Sequence, residues 1–261
     1  MRALLTVLLG AVIASTTAAQ DGKGKIIDEG KLTISGRPGF ARTEEFSIFQ
    51  RADGGFTVRS TITAEDGSYT ANGRWNFDAT WRAIDAAGQG DAKGVKRRIE
   101  MWRESTPSGT VVKISRRATL ADDEPRNETF SAPCDAECLM DMAPAALPMS
   151  VMTRRYDAGR GGEQAFRWVG ASLTDDQVLL GGTATLWLNR MQKVAGSDIA
   201  HWRFREDLPG ANPGENTQMH MHLWTDAAGS LRKFGVGRTD KPTTIGVRES
   251  DAELSAQMSA E

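Results

Sequence analysis

The feature that most constrains this chain is a two-residue alternation of apolar and polar side chains, repeated between short Asp- and Gly-rich breaks. In a strand, successive side chains point to opposite faces, so this period marks a sheet with one buried face. Residues 68–77 show it best. Tyr69, Ala71, Gly73, Trp75 and Phe77 share one face, while Thr70, Asn72, Arg74 and Asn76 take the other. Phe56-Val58-Ser60-Ile62 and Val112-Ile114-Arg116-Ala118-Leu120 repeat the pattern less cleanly. The breaks at Ala52–Gly55, Glu65–Gly67, Asp85–Gly88 and Pro107–Gly109 supply the Asp and Gly that tight hairpins favour. Sequential hairpins predict a meander.

The alternation stops between Ala121 and Arg160. A charged stretch, Ala121–Pro125, precedes a Met-rich insert, 134–158, containing Leu139, Met140, Met142, Leu147, Met149 and Met152. Pro144 and Pro148 interrupt it, which predicts one or two short helical turns. Strands resume around Phe166–Trp168, Ala184–Leu188, Ala200–Phe204, Met219–Leu223 and Leu231–Val236, with breaks at Gly161-Gly162, Gly181-Gly182 and Asp226–Gly229. Residues 249–261 read as a polar tail, a frayed terminal helix. The expected architecture is mainly β: a single antiparallel, half-closed barrel over 30–248 carrying a short helical insert.

The beginning of the chain predicts export. Arg2, an apolar run Ala3–Ala14 and the small residues Ser15–Ala19 have the form of a secretory signal peptide, 1–19, cleaved near Ala19. Residues 20–29 read as a loose leader. No later stretch is apolar enough to span a bilayer as a helix, so no integral membrane segment is expected after cleavage. The 32 Lys+Arg and 34 Asp+Glu are interspersed. There is no basic stripe of the kind a phosphate backbone requires, so no nucleic-acid partner is expected.

The order of elements, successive antiparallel strands around a hydrophobic helical insert, resembles the half-open barrels of periplasmic lipoprotein carriers and related uncharacterised exported β proteins. The segment Arg154–Gln164 is similar to a link in such domains. The resemblance implies a periplasmic or secreted half-barrel.

Four features could carry chemistry. Cys134 and Cys138 in an oxidising compartment are most simply a disulfide, although a C-x3-C pair of thiolates also suits copper. His220 and His222 share one strand face, two of the three or four ligands a metal needs, with Met219 and Met221 opposite and predicted in the core. Otherwise their imidazoles face solvent or a cleft beside Trp224. The insert is the third: adaptable thioethers suit irregular apolar ligands, so Met140, Met142, Leu147 and Met149 either cover a barrel mouth as a lid or fill the core as a plug. The seven tryptophans are the fourth; most read as core, and Trp75 and Trp168 are placed with the insert as ligand-binding. Catalytic motifs are absent: there is no G-x-S-x-G, H-E-x-x-H, P-loop or G-x-G-x-x-G, and the pairs Asp122-Asp123 and Asp175-Asp176 read as solvated loops.

The expected function is therefore a periplasmic carrier for an apolar or amphipathic, lipid-like small molecule, needing no cofactor. The alternatives are a copper-handling protein using the cysteines or histidines, an enzyme with its site in the barrel mouth, and an accessory domain acting through its surface.

Overall fold

The structure, a computed structural model, describes residues 24–36, 41–120, 123–134, 138–209, 216–237 and 241–258. The expected signal peptide, Asp122, and residues 135–137 of the insert lie outside the described residues. Eight strands come first: β1 Lys25–Ser35, β2 Arg42–Gln50, β3 Phe56–Ala64, β4 Tyr69–Phe77, β5 Ala83–Ala92, β6 Val95–Thr106, β7 Gly109–Leu120 and β8 Arg126–Pro133. The insert holds β9 Leu139–Ala143, helix α1 Leu147–Val151 and a 3-10 turn, Met152–Arg155. Then follow β10 Gln164–Ser172, β11 Val178–Val194, β12 Ser197–Pro209, β13 Asn216–Asp226, β14 Leu231–Gly237, β15 Thr244–Arg248 and a 3-10 helix, Glu249–Gln257.

Among the described residues, the fifteen strands form one sheet, ordered 8-7-6-5-4-3-2-1-15-14-13-12-11-10-9. Each half is a meander, and the halves are sewn together where β1 pairs antiparallel with β15. The sheet does not close. It coils past closure instead: β9 packs against β5, and β8 against β11. The edge strand β9 is parallel to β10 and buried from Leu139 to Met142, so it runs inside the coil.

Local sequence explains the hairpins. Gly54, Gly67, Gly109 and Gly229 occupy positive φ at four turns, where a side chain would be strained. The pairs expected as turns at Gly88 and Gly181-Gly182 lie within β5 and β11 instead. Their role is close approach. A Cβ on Gly88 would sit 3.1 Å from the Met142 sulfur, and one on Gly182 only 2.3 Å from Trp168 Nε1.

Two other stretches are more ordered than the sequence suggests. Residues 25–29, expected in the leader, belong to β1, with Lys25 opposite Gln50 and Glu29 opposite Ser47. The polar tail is docked on the outer face of the sheet: Lys233 donates to the Ser255 and Met258 carbonyls at 2.7 and 2.8 Å, and Met258 joins a small core with Val194, Ile199 and Trp224.

Candidate functional site

The insert enters the interior after the Cys134–Cys138 disulfide. β9 runs up inside the sheet, the chain turns at Pro144–Ala146, and α1 with its 3-10 turn runs back down. Leu139 to Ala143 is thus a strand, where short helical turns were expected; only residues 147–155 are helical. β9 divides the core. Met140, Met142, Leu147 and Val151 join a large cluster with Ile34, Trp75 and Phe234. Leu139 and Met152 join a second with Phe166, Trp168, Leu186, Phe204 and Met221. The insert is a plug in this structure, since its apolar residues are core and do not cover an opening.

The plug is held by its turn. Arg42 and Glu44, alternate residues of β2, both face inward. Arg42 Nη2 donates to the Pro144 carbonyl at 3.1 Å. Glu44 accepts the Ala146 and Leu147 backbone N–H groups at 2.8 and 3.2 Å, and the Ser60 hydroxyl at 2.6 Å. These are N–H groups that α1 cannot pair within itself. Burial pushes the Glu44 carboxyl above its ordinary range, against the pull of these donors and of Arg42. A hydrogen bond contributes about 0.5–1.5 kcal/mol between neutral groups and about 1.5–3 kcal/mol to a charged one. The three bonds at Glu44 therefore help to seat the helix in either protonation state.

Two more carboxyls face the interior. Asp141 on β9 is pushed from 3.8 up to about 7 by burial, reinforced by Glu44. Glu206 on β12 is pushed from 4.5 up to about 8 by burial and then by Asp141. Asp141 Oδ1 and Glu206 Oε1 are buried and accept no hydrogen bond. The indole N–H of Trp168 is likewise buried without an acceptor. Glu206 shares a cross-strand row with Ala184 and Phe166. On the inner side of Phe166 a cation is already seated: the Arg155 guanidinium lies 5.2 Å from its ring centre. Arg154 similarly lies 4.7 Å from the ring centre of Trp81.

The residues singled out from sequence are divided between the two clusters. Met140, Met142, Leu147 and Trp75 lie in the first; Trp168 lies in the second, with half-buried Met149 packed against it. Arg42, Glu44, Asp141 and Glu206 were not anticipated. Of the loop acids, Asp176 is paired with Arg97 at 3.1 Å.

The histidines behave differently from expectation. Met221 is core, but His222 is only 2 % exposed and lies on the outer face beside Trp224. Its Nδ1 is 3.0 Å from His201 Nε2, and His201 stacks on Trp224 with ring centres 4.6 Å apart. Asn189 Nδ2 lies 3.2 Å from His201 Nδ1. With the amide donating, neutral His201 carries its proton on Nε2 and gives it to His222. His222 therefore turns Nδ1 to His201 and away from a shared ion with His220. The disulfide, with both cysteines buried, occupies the thiolates that copper would need. Among the described residues, no three His, Cys, Asp or Glu side chains assemble as a metal site.

No protein-family model matches the chain, and no curated protein does. Among solved structures, a β-barrel-like protein of the domain of unknown function DUF1849 from Brucella abortus is similar. It has 10% identity, covers 84% of this chain and 94% of its own, and has a TM-score of 0.48. A DUF1089 family protein from Pseudomonas aeruginosa has 13% identity, with 72% and 86% coverage and a TM-score of 0.41.

Proposed function

We propose that this is an exported binding protein, periplasmic or secreted, that carries an apolar or amphipathic molecule in the space now filled by residues 144–155. The observation that carries the reading is the clasp. The turn and helix are not part of the sheet, and polar side chains of the wall, Arg42, Glu44 and Ser60, hold their entry. Buried backbone groups at a helix start need partners in any fold, but here the two N–H groups rely on one wall side chain, Glu44, so the seat can be released at a single point. A segment that must leave and return benefits from a directional seat. The Cys134–Cys138 disulfide supports export, since such bonds persist in oxidising compartments.

Nile red, a neutral apolar dye that brightens out of water, tests this. The mature protein is expected to bind it saturably at one site. Glu44→Ala removes the clasp, makes the plug easier to displace, and is expected to tighten dye binding by about tenfold, equivalent to about 1.4 kcal/mol. If neither protein takes up the dye, or if Glu44→Ala leaves its affinity unchanged, the plug is a fixed part of the core and the proposal fails.

A further inference from the structure

We propose that the carried molecule is a long-chain amphiphile with a cationic amine head, held by the inward carboxyls Glu44, Asp141 and Glu206. This rests on the reading above and deepens it.

The interior holds buried carboxylate acceptors without donors, with the Trp168 indole N–H as an unsatisfied donor in the same core. Asp141 Oδ1 and Glu206 Oε1 accept no hydrogen bond, although each side chain is more than nine-tenths buried. Glu44 has donors in Ser60 and in the Ala146 and Leu147 N–H groups, but the latter two belong to the plug. When the plug leaves, Glu44 loses them. A primary ammonium carries three N–H donors and a full positive charge, and so replaces them in kind. Asp141 keeps the Met142 backbone N–H, which belongs to β9 and not to the departing turn and helix, while Asp141 Oδ1 and Glu206 Oε1 gain a donor.

The charges acting on these groups favour a cation. Glu44 raises Asp141, and Asp141 raises Glu206. Arg42, the basic residue acting on Glu44, donates to the Pro144 carbonyl and is freed when the plug leaves, so one guanidinium stands against three carboxyls. An anionic head would meet those three carboxyls against the single guanidinium of Arg42. A neutral hydroxyl would pair with one of them but leave the others without a donor.

The walls agree, by an independent route. Phe166, in the same row as Glu206, already carries the Arg155 guanidinium on its ring. Two strand spacings, about 10 Å, separate that row's ends. The plug itself is apolar at Leu147, Val151 and Met152 and cationic at Arg154 and Arg155. The interior is thus occupied by a built-in amphipathic cation, and a ligand of the same chemistry competes for the same surfaces.

The test is displacement of bound Nile red by dodecylamine, dodecanol and dodecanoate, each below its micellar concentration. Dodecylamine is expected to displace the dye at a concentration at least about tenfold lower than dodecanol, with dodecanoate weakest. Its advantage should grow from about pH 6 to about pH 8 as Asp141 and Glu206 ionise. The double variant Asp141→Asn, Glu206→Gln keeps both shapes, and should still bind dodecanol while losing most of the amine preference. Equal displacement by amine and alcohol, or a preference for dodecanoate, overturns the head-group inference and leaves the carrier reading standing. Failure of all three chains to displace the dye, or of the dye to bind, overturns both.

Discussion

Replacing Asp141 by asparagine isolates one ionisation without changing the shape of the side chain. The wild-type carboxyl is pushed from 3.8 to about 7 on folding. Its folded form therefore holds the proton more tightly than its unfolded form, and the folded protein carries the extra proton between those two values. Stability must then fall as pH rises from about 4 through about 7, and level off above. At about 1.4 kcal/mol for each tenfold in acidity, the full cost of ionising Asp141 is on the order of 4 kcal/mol. Between about pH 5 and about pH 8 the wild type should lose on the order of 3 kcal/mol from this group. Asparagine does not titrate. Its buried amide imposes a cost of about 1–3 kcal/mol, but that cost is the same at every pH. The diagnostic is therefore the difference between the two proteins as it grows with pH, not their stability at any one pH. Urea unfolding followed by tryptophan fluorescence at several pH values measures it. Parallel pH curves for wild type and Asp141→Asn would refute the argument, because they would mean that Asp141 reaches solvent when folded.

Two further predictions follow from the opposite face and from the entry to the interior. His201, lowered from 6.5 to about 3 by burial and by His222, Arg190, Arg203 and Lys233, binds fewer protons when folded. Its stability is present above about 6.5 and lost as pH falls towards about 3, roughly 2 kcal/mol by about pH 5. His201→Gln should flatten that acid limb in the same unfolding series, and a limb of unchanged steepness would contradict it. Reducing the Cys134–Cys138 bond, whose partners are 4 residues apart in sequence, should cost about 2 kcal/mol, because so short a ring removes little chain entropy. A urea midpoint unmoved by dithiothreitol would contradict that.

The strands and their inward faces were legible because a two-residue period writes them directly into the sequence. Ala71, Gly73, Trp75 and Phe77 all face inward as the alternation requires. The glycines were less legible. Gly88 and Gly182 look like turn residues in sequence, yet they serve the approach of Met142 and Trp168 across the sheet, which no local pattern records. The inward carboxyls did leave a signal. Glu44 is in phase with Phe46 and Ile48, Glu206 with Trp202 and Phe204, and Asp141 interrupts an otherwise apolar Leu-Met-Asp-Met-Ala. A charge in phase with the buried face marks a departure from packing. The clasp left none, because Glu44 and Ala146 are 102 residues apart in sequence.

The position of these acids bears on whether the plug can move. Burying Leu147, Val151 and Met152 contributes about 1.5–3 kcal/mol each, and an alkyl chain of ten methylenes burying itself in their place contributes about 8 kcal/mol. The two are comparable, so apolar burial by itself does not decide which occupant holds the interior. The polar groups decide it. Seating the plug satisfies Glu44 but leaves Asp141 Oδ1 and Glu206 Oε1 without donors, a cost that rises with pH as both ionise. A cationic head reverses that dependence, since it binds the ionised carboxyls best. Exchange of plug for ligand is then expected to become more favourable from acid to mildly alkaline conditions, while a neutral chain of the same length shows only the part that comes from weakening of the plug. Comparing those two pH slopes separates release of the plug from recognition of the head.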